Sequence, residues 1–358
     1  MLCLNKIFSV FGPIFPFCFS TILFSQEIVQ GNLDVVFISP YEDFYEYHHP
    51  VQLHTHTTYS DGRLTPAEMM KAHEIAGYVA CAITDHDHPD GSYHPCAEDP
   101  GGHAIIHLPG VEYSVGYHLQ GIGMEEIYYE GEYRRQEQID QIIANGGIAF
   151  WSHPAREDIR GVTYAGLDRY KNYSGLEIFT QNCRPPRYSS EKVDYVLAEL
   201  GRRVNIFSTS DTHHGAQVFG YVNILTNIPK EELTYYDVMT ALRSGKFYSI
   251  ADSGVAFGEH PSMDEEKEVI PAKAAKLRIN AKGNTIHVYS DSAVDIEFIT
   301  NRYNYYYEGV NYSQINYDVT SAGYTIHPDD KYVRIKTITR DTNAITWSNP
   351  LYIETVFK

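Results

Sequence analysis

Histidines and carboxylates stand at the ends of apolar runs in this chain, at the spacing of ligands for divalent ions. In Leu53-His54-Thr55-His56-Thr57-Thr58-Tyr59-Ser60-Asp61 two histidines occupy positions i and i+2 at the close of a short apolar stretch. Alternate residues of an extended backbone face the same side, so His54 and His56 can reach one ion together. Asp61 follows in a Ser-Asp-Gly turn, which bends the chain back and adds a hard oxygen donor. A lone His-X-His pair is common by chance, and this one gains weight from what repeats downstream. Val79–Thr84 leads into Asp85 and His86. Ile105–Val111 leads into Glu112, with His118 six residues on. Gly147–Ser152 leads into His153, and Val204–Ser210 into Asp211 and His213.

Such runs read as buried parallel strands. Their carboxyl ends form one rim, where α/β enzymes keep their chemistry. Strand ends that repeatedly carry His, Asp or Glu point to a polynuclear metal site. The elements between them agree. Thr65-Pro66-Ala67-Glu68 combines an N-cap, a first-turn proline and a capping box, and Gly77 stops that helix. Residues 132–145, with Ile139, Ile142 and Ile143 as an apolar face, read as a helix, as do 189–201 and Asp237–Gly245. A further strand is expected over Gly175–Thr180. Alternation of strand and helix favours a barrel over a sandwich.

The ordered set HxH…D, TDH, GxE…H, SHP and SDxHH resembles the PHP (polymerase and histidinol phosphatase) family of metal-dependent hydrolases, over roughly residues 50–255. The ending Ser348-Asn349-Pro350-Leu351-Tyr352-Ile353 looks like the secreted branch grouped with carbaryl-type hydrolases. The resemblance implies a distorted (β/α)7 barrel and two or three divalent metal ions. Nine residues carry over as ligands: His54, His56, Asp61, His86, Glu112, His118, His153, Asp211 and His213. Glu112 would bridge two ions, while His54 and His56 would share one.

That mixed nitrogen and oxygen set suits Mn, Zn or Fe. Three dications bring +6 against −3 from Asp61, Glu112 and Asp211, so the centre stays positive and suits a phosphoryl group. The expected activity is hydrolysis of a small phosphorylated metabolite or nucleotide by a metal-bridging hydroxide, with no Ser or Cys nucleophile. Arg156, three residues after His153, is the candidate phosphate clamp, with Arg184 and Arg187 as weaker ones. Asp85 is the candidate to orient a ligand. Two rival readings stand beside this one: hydrolysis of an ester, carbamate or amide at the same site, and an inactive scaffold whose β-domain binds glycan or protein.

Composition bounds the partners. The 358 residues suffice for two domains, and the formal charge of −18 argues against duplex nucleic acid. Residues 1–25, nearly uncharged after Lys6, read as a secretory signal peptide. The expected location is therefore extracytoplasmic, periplasmic or secreted, with no stable membrane insertion once the leader is removed. Residues 26–49 read as a lead-in covering the first barrel strand, with His48 and His49 exposed, and 50–258 as the barrel. Alternating strands at 276–281, 285–290, 295–300, 332–339 and 351–356 read as a small β-sandwich over 268–358. Cys81, Cys96 and Cys183 give no disulfide framework, and Cys81 is expected in the core. His88, His94 and His103 belong to a loop above the strand ends. The tyrosines around 302–309 read as an edge strand and turn rather than a ligand platform.

Overall fold

The Thr65 capping box forms as its residues require. The Thr65 hydroxyl accepts from the Glu68 amide while the Glu68 carboxylate accepts from the Thr65 amide, and α1 (Pro66–Ile75) begins with proline in its first turn. The computed structural model describes residues 33–41, 44–87, 98–124, 134–156, 158–180, 189–215, 219–251, 273–302 and 314–357. The apolar leader, His88, His94, Cys96, Cys183, Arg184, Arg187, the tyrosines after Arg302 and the boundary near 258–268 lie outside them.

Before α1 come β1 (Leu33–Ile38) and β2 (Tyr47–Gln52); after it come β3 (Ala80–Ile83), β4 (Ile106–Tyr113) and β5 (Leu119–Ile122). Helix α2 (Arg135–Ala144) precedes β6 (Ile148–Trp151), and α3 (Tyr164–Arg169) precedes β7 (Gly175–Thr180). Helix α4 (Ser190–Asp194) continues as a π-helical turn over Tyr195–Glu199 and leads to β8 (Asn205–Thr209) and β9 (Gly220–Thr226). Helix α5 (Tyr235–Ser244) ends on the left-handed Gly245 and is followed by β10 (Phe247–Ala251). The rest is antiparallel strand: β11 (Leu277–Lys282), β12 (Thr285–Thr300), β13 (Gln314–Thr325), β14 (Tyr332–Thr339), β15 (Ile345–Ser348) and β16 (Leu351–Phe357).

The fold is mixed α/β and dominated by sheet. Strands β2, β3 and β4 run parallel, as do β6, β7 and β8. Strand β5 lies antiparallel between β4 and β6, so strict alternation of strand and helix fails there. Five residues, Ser114–His118, join β4 to β5, too few for a crossover helix. Beyond β8 the chain returns to the start of this ladder. Thr212 bridges Thr55, with the His56 amide donating to the Thr212 carbonyl (2.7 Å) and the Thr212 amide to that of His54 (3.1 Å). Apolar side chains fill the inside, with Phe150 and Phe207 stacked at 4.3 Å among Leu53, Leu108, Ile148 and Phe247. Ile139 and Ile142 of α2 are buried, but Ile143 is 37% exposed, because the buried arc of this helix is narrower than its apolar residues.

Strand β15 pairs with β10, so the C-terminal strands join the same hydrogen-bonded network as the α/β strands. Strand β1, expected to cover the first strand of the barrel, instead pairs with β16. The two short strands expected at 285–290 and 295–300 are one sixteen-residue strand, β12, which shifts register between Tyr289 and Val294. His49 is buried, not exposed, with Nε2 2.9 Å from the Ile228 carbonyl, and His48 is half-buried. Arg334 of β14, fully buried, forks onto Asp194 of α4 at 2.8 and 2.7 Å. Among the described residues no helix is long and apolar enough to cross a membrane.

Candidate metal centre

The donors cluster at strand ends, except Asp61, which is carried on the turn after His56. His54 and His56 follow β2, His86 follows β3, and Glu112 is the last residue but one of β4, opposite Gln120 of β5. His118 precedes β5, His153 follows β6, and Asp211 and His213 follow β8. A parallel bridge between His86 and Glu112 extends the β3–β4 pairing to the site. At His153 (φ 30°) and Asp211 (φ 51°) the backbone enters the left-handed region, which costs roughly 1–3 kcal/mol at a non-glycine residue. Both residues leave their strands by this turn.

Glu112 is the centre of the arrangement. Its Oε1 lies 3.0 Å from His153 Nε2 and 3.1 Å from His118 Nδ1. Its Oε2 lies 3.2 Å from His86 Nδ1 and 3.4 Å from both His54 Nε2 and His56 Nε2. Asp211 Oδ1 is 3.1 Å from the same two nitrogens, which are 3.1 Å from each other. Asp61 reaches His213 Nε2 at 3.3 Å, His56 Nδ1 at 3.6 Å and His86 Nε2 at 3.7 Å. Three donor groups result: His54, His56, Glu112 and Asp211; His56, Asp61, His86 and His213; and His86, Glu112 and His118. His153 joins them through Glu112. All nine residues expected as ligands are thus brought together.

The donor set fits cations. Two imidazole nitrogens facing each other at 3.1 Å cannot both present lone pairs without something positive between them. Adjacent ligands of an ion held at about 2.0–2.2 Å stand about 3–3.5 Å apart. The separations among His54, His56, Glu112 and Asp211 given above fall in that range. Electrostatics agree. Burial alone would raise the Glu112 carboxyl, but His54 and His118 beside it hold it well below the usual range. Asp211 is likewise held down against burial, by His54 and His56, and Asp61 by His213 and His86. Burial opposes charge on His56 too, yet Asp211 and Glu112 raise it to about 10, so an ion binding there must displace the ring's proton. These carboxylates stay ionised, as ligands must.

Asp85 is fully buried and accepts from the Thr57 amide, the Thr57 hydroxyl and the Ser60 hydroxyl, each at 2.6 Å. It therefore grips the turn between His56 and Asp61. The centre opens into a cavity of about 280 Å³ whose wall includes Arg156, Arg160 and His214. The Arg156 Nε and Nη2 are held by Asp158 (3.1 and 2.6 Å), and that contact brings the Asp158 carboxyl down to about 2.

Sequence reasoning missed Arg160 and His214 on the cavity wall, and it missed Glu177. Glu177 sits in the middle of β7 with no exposed surface. Its signal was a single acid inside the apolar run Gly175-Leu176-Glu177-Ile178-Phe179, where an unpaired carboxylate is costly.

No family model and no curated protein matches the chain. Solved structures that resemble it include two described as metal-dependent phosphoesterases, one of them PHP-like, and an amidohydrolase. One is a two-domain protein from Bacteroides vulgatus containing a predicted PHP-like metal-dependent phosphoesterase. It aligns over 89% of this chain and 98% of its own, at 13% identity and a TM-score of 0.46. A second, from Bifidobacterium adolescentis, is described as a candidate metal-dependent phosphoesterase and covers 55% of this chain and 96% of its own, at 17% identity and a TM-score of 0.35. An amidohydrolase from Chromobacterium violaceum covers 46% of this chain and 88% of its own, at 18% identity and a TM-score of 0.31.

Proposed function

We propose that the chain is a metal-dependent hydrolase of phosphate esters, acting on a small phosphorylated substrate with two or three divalent ions, Mn, Zn or Fe. The observation that carries this reading is Glu112, whose two oxygens stand within 3.4 Å of five imidazoles from four strand ends. A carboxylate so placed is built to be shared between cations. His54, His56, Glu112 and Asp211 would hold one ion, and the two adjoining groups the others. Ions held there would supply Lewis acidity and activate a water as nucleophile. The expected closed (β/α)7 arrangement belongs to the same proposal, supported by the Thr55–Thr212 bridge.

The chain's own residues then bind and orient. Counting Glu177 with Asp61, Glu112 and Asp211, four carboxylates balance two dications, and a third ion leaves +2. Anion binding therefore draws on Arg156 and Arg160 as well as on the metals. Asp158 holds the Arg156 fork in place on the cavity wall, so its orientation does not have to be fixed at each binding event. The cavity of about 280 Å³ has room for a phosphoryl group beside these arginines.

A hydrolysis screen of phosphomonoesters, phosphodiesters and carboxyl esters, with Mn, Zn or Fe added to metal-free protein, tests the reading. Phosphate esters should turn over, and Arg156→Ala should slow them selectively. Turnover confined to carboxyl esters, carbamates or amides, indifferent to Arg156→Ala, would move the chain to the rival hydrolase reading. No turnover with any metal would leave the scaffold.

A further inference from the structure

Glu177 is a further carboxylate of the centre, buried like Glu112 and Asp211, and none of the motif positions contains it. Its Oε1 accepts from His54 Nδ1 (2.8 Å) and from the Thr209 hydroxyl (2.7 Å), and its Oε2 accepts from the His153 amide (2.5 Å). Those partners follow or end β2, β8 and β6, so one side chain ties three strand ends together behind the donors. The backbone makes room for it. Glu177 pairs with Phe207 but Phe179 with Ser208, so β7 carries one extra residue at Ile178, and such a bulge re-aims the side chains beside it.

We propose that Glu177 is the positioning residue of the metal centre: it fixes which nitrogen His54 offers and holds the strained backbone of His153, so that the donor set stands assembled before an ion arrives. The first half follows from hydrogen-bond direction. An imidazole that donates from Nδ1 to a carboxylate keeps Nε2 for coordination, and His54 Nε2 is the atom that faces His56, Glu112 and Asp211. The second half follows from His153, whose φ of 30° is a conformation few non-glycine residues adopt. The Glu177 oxygen on its amide opposes relaxation to an ordinary strand end.

This inference rests on the metal reading, and the test separates the two. Zinc affinity is measured on metal-free full-length protein by competition with a chromophoric chelator, and thermal stability is measured without metal. The unaltered chain should bind zinc. Glu177→Gln keeps the shape but loses the charge, and should weaken the tightest site by about 10–100-fold, the range usual for such partners. Glu177→Asp keeps the charge but loses the reach, and should not restore affinity. A Gln variant of lowered melting temperature but unchanged zinc affinity would overturn the proposal, leaving Glu177 a packing residue. Absence of zinc binding by the unaltered chain would overturn both readings. If the Glu177 variants do not fold, Thr209→Val carries the test: it frees one side of Oε1 and should weaken zinc several-fold, and an unchanged affinity refutes the role.

Discussion

Gly62 lies against the carbonyl of His56 so closely that a Cβ on it would stand 2.1 Å from that oxygen. The Gly62 amide donates to the Thr57 carbonyl at 2.9 Å, closing the turn that carries Asp61 back toward His56. Only glycine fits this approach. Gly62→Ala should therefore cost about 1–3 kcal/mol of stability and weaken metal binding at the group containing Asp61 more than tenfold. Chelator competition and a thermal melt read both. A variant that melts and binds as the unaltered chain does would show that the turn is not what sets Asp61.

The Arg334–Asp194 pair joins β14 to α4 out of reach of water. Removing one partner of a buried pair leaves an uncompensated charge, typically costing about 3–5 kcal/mol. Arg334→Ala and Asp194→Ala should each lose that much in urea unfolding. The double variant Arg334→Met with Asp194→Leu should recover most of it. Independent, additive losses would mean that the pair is not the tie between these elements.

His73, buried on α1 with Nδ1 against the Met69 carbonyl, is lowered by burial to about 4. The folded chain keeps it neutral, while below its ordinary 6.5 the unfolded chain takes up a proton. Stability is therefore full above pH 6.5 and declines as pH falls toward 4, by about 1.4 kcal/mol per pH unit for such a group. His73→Leu should shrink the stability difference between pH 7 and pH 5 by about 2 kcal/mol. An equal difference in both proteins would contradict the buried neutral histidine.

What was legible followed from local chemistry. The i, i+2 histidines, the Thr65 capping box, the Gly77 stop and the apolar runs ending in His, Asp or Glu each depend on a few adjacent residues. Pairing was not legible. Nothing local to Leu119–Ile122 says that it will lie antiparallel between two parallel groups, or that Leu33–Ile38 will meet the last strand. Glu177 was hidden for the same reason: its partners are 123 and 32 residues away, at His54 and Thr209. Asp85 was read from its neighbour His86, whereas its bonds go to Thr57 and Ser60, across the β2–β3 pairing.

Arg160 lines the cavity and is exposed, and its amide is fixed by Asp158 at 3.1 Å. A charge-assisted hydrogen bond to an anion contributes about 1.5–3 kcal/mol. Arg160→Ala should thus lower kcat/KM for a phosphomonoester by about 10–100-fold with metal content unchanged. An unaltered kcat/KM would remove Arg160 from the binding wall.

Metal content tests the central claim most directly. Elemental analysis of the purified chain, after saturation with zinc or manganese and removal of free ion, should give two to three equivalents per chain. The same analysis of His56→Ala, whose ring belongs to two of the three donor groups, should give a lower number and a lower hydrolysis rate together. Less than one equivalent on the unaltered chain, or full loading and activity in His56→Ala, would contradict a shared cation centre around Glu112.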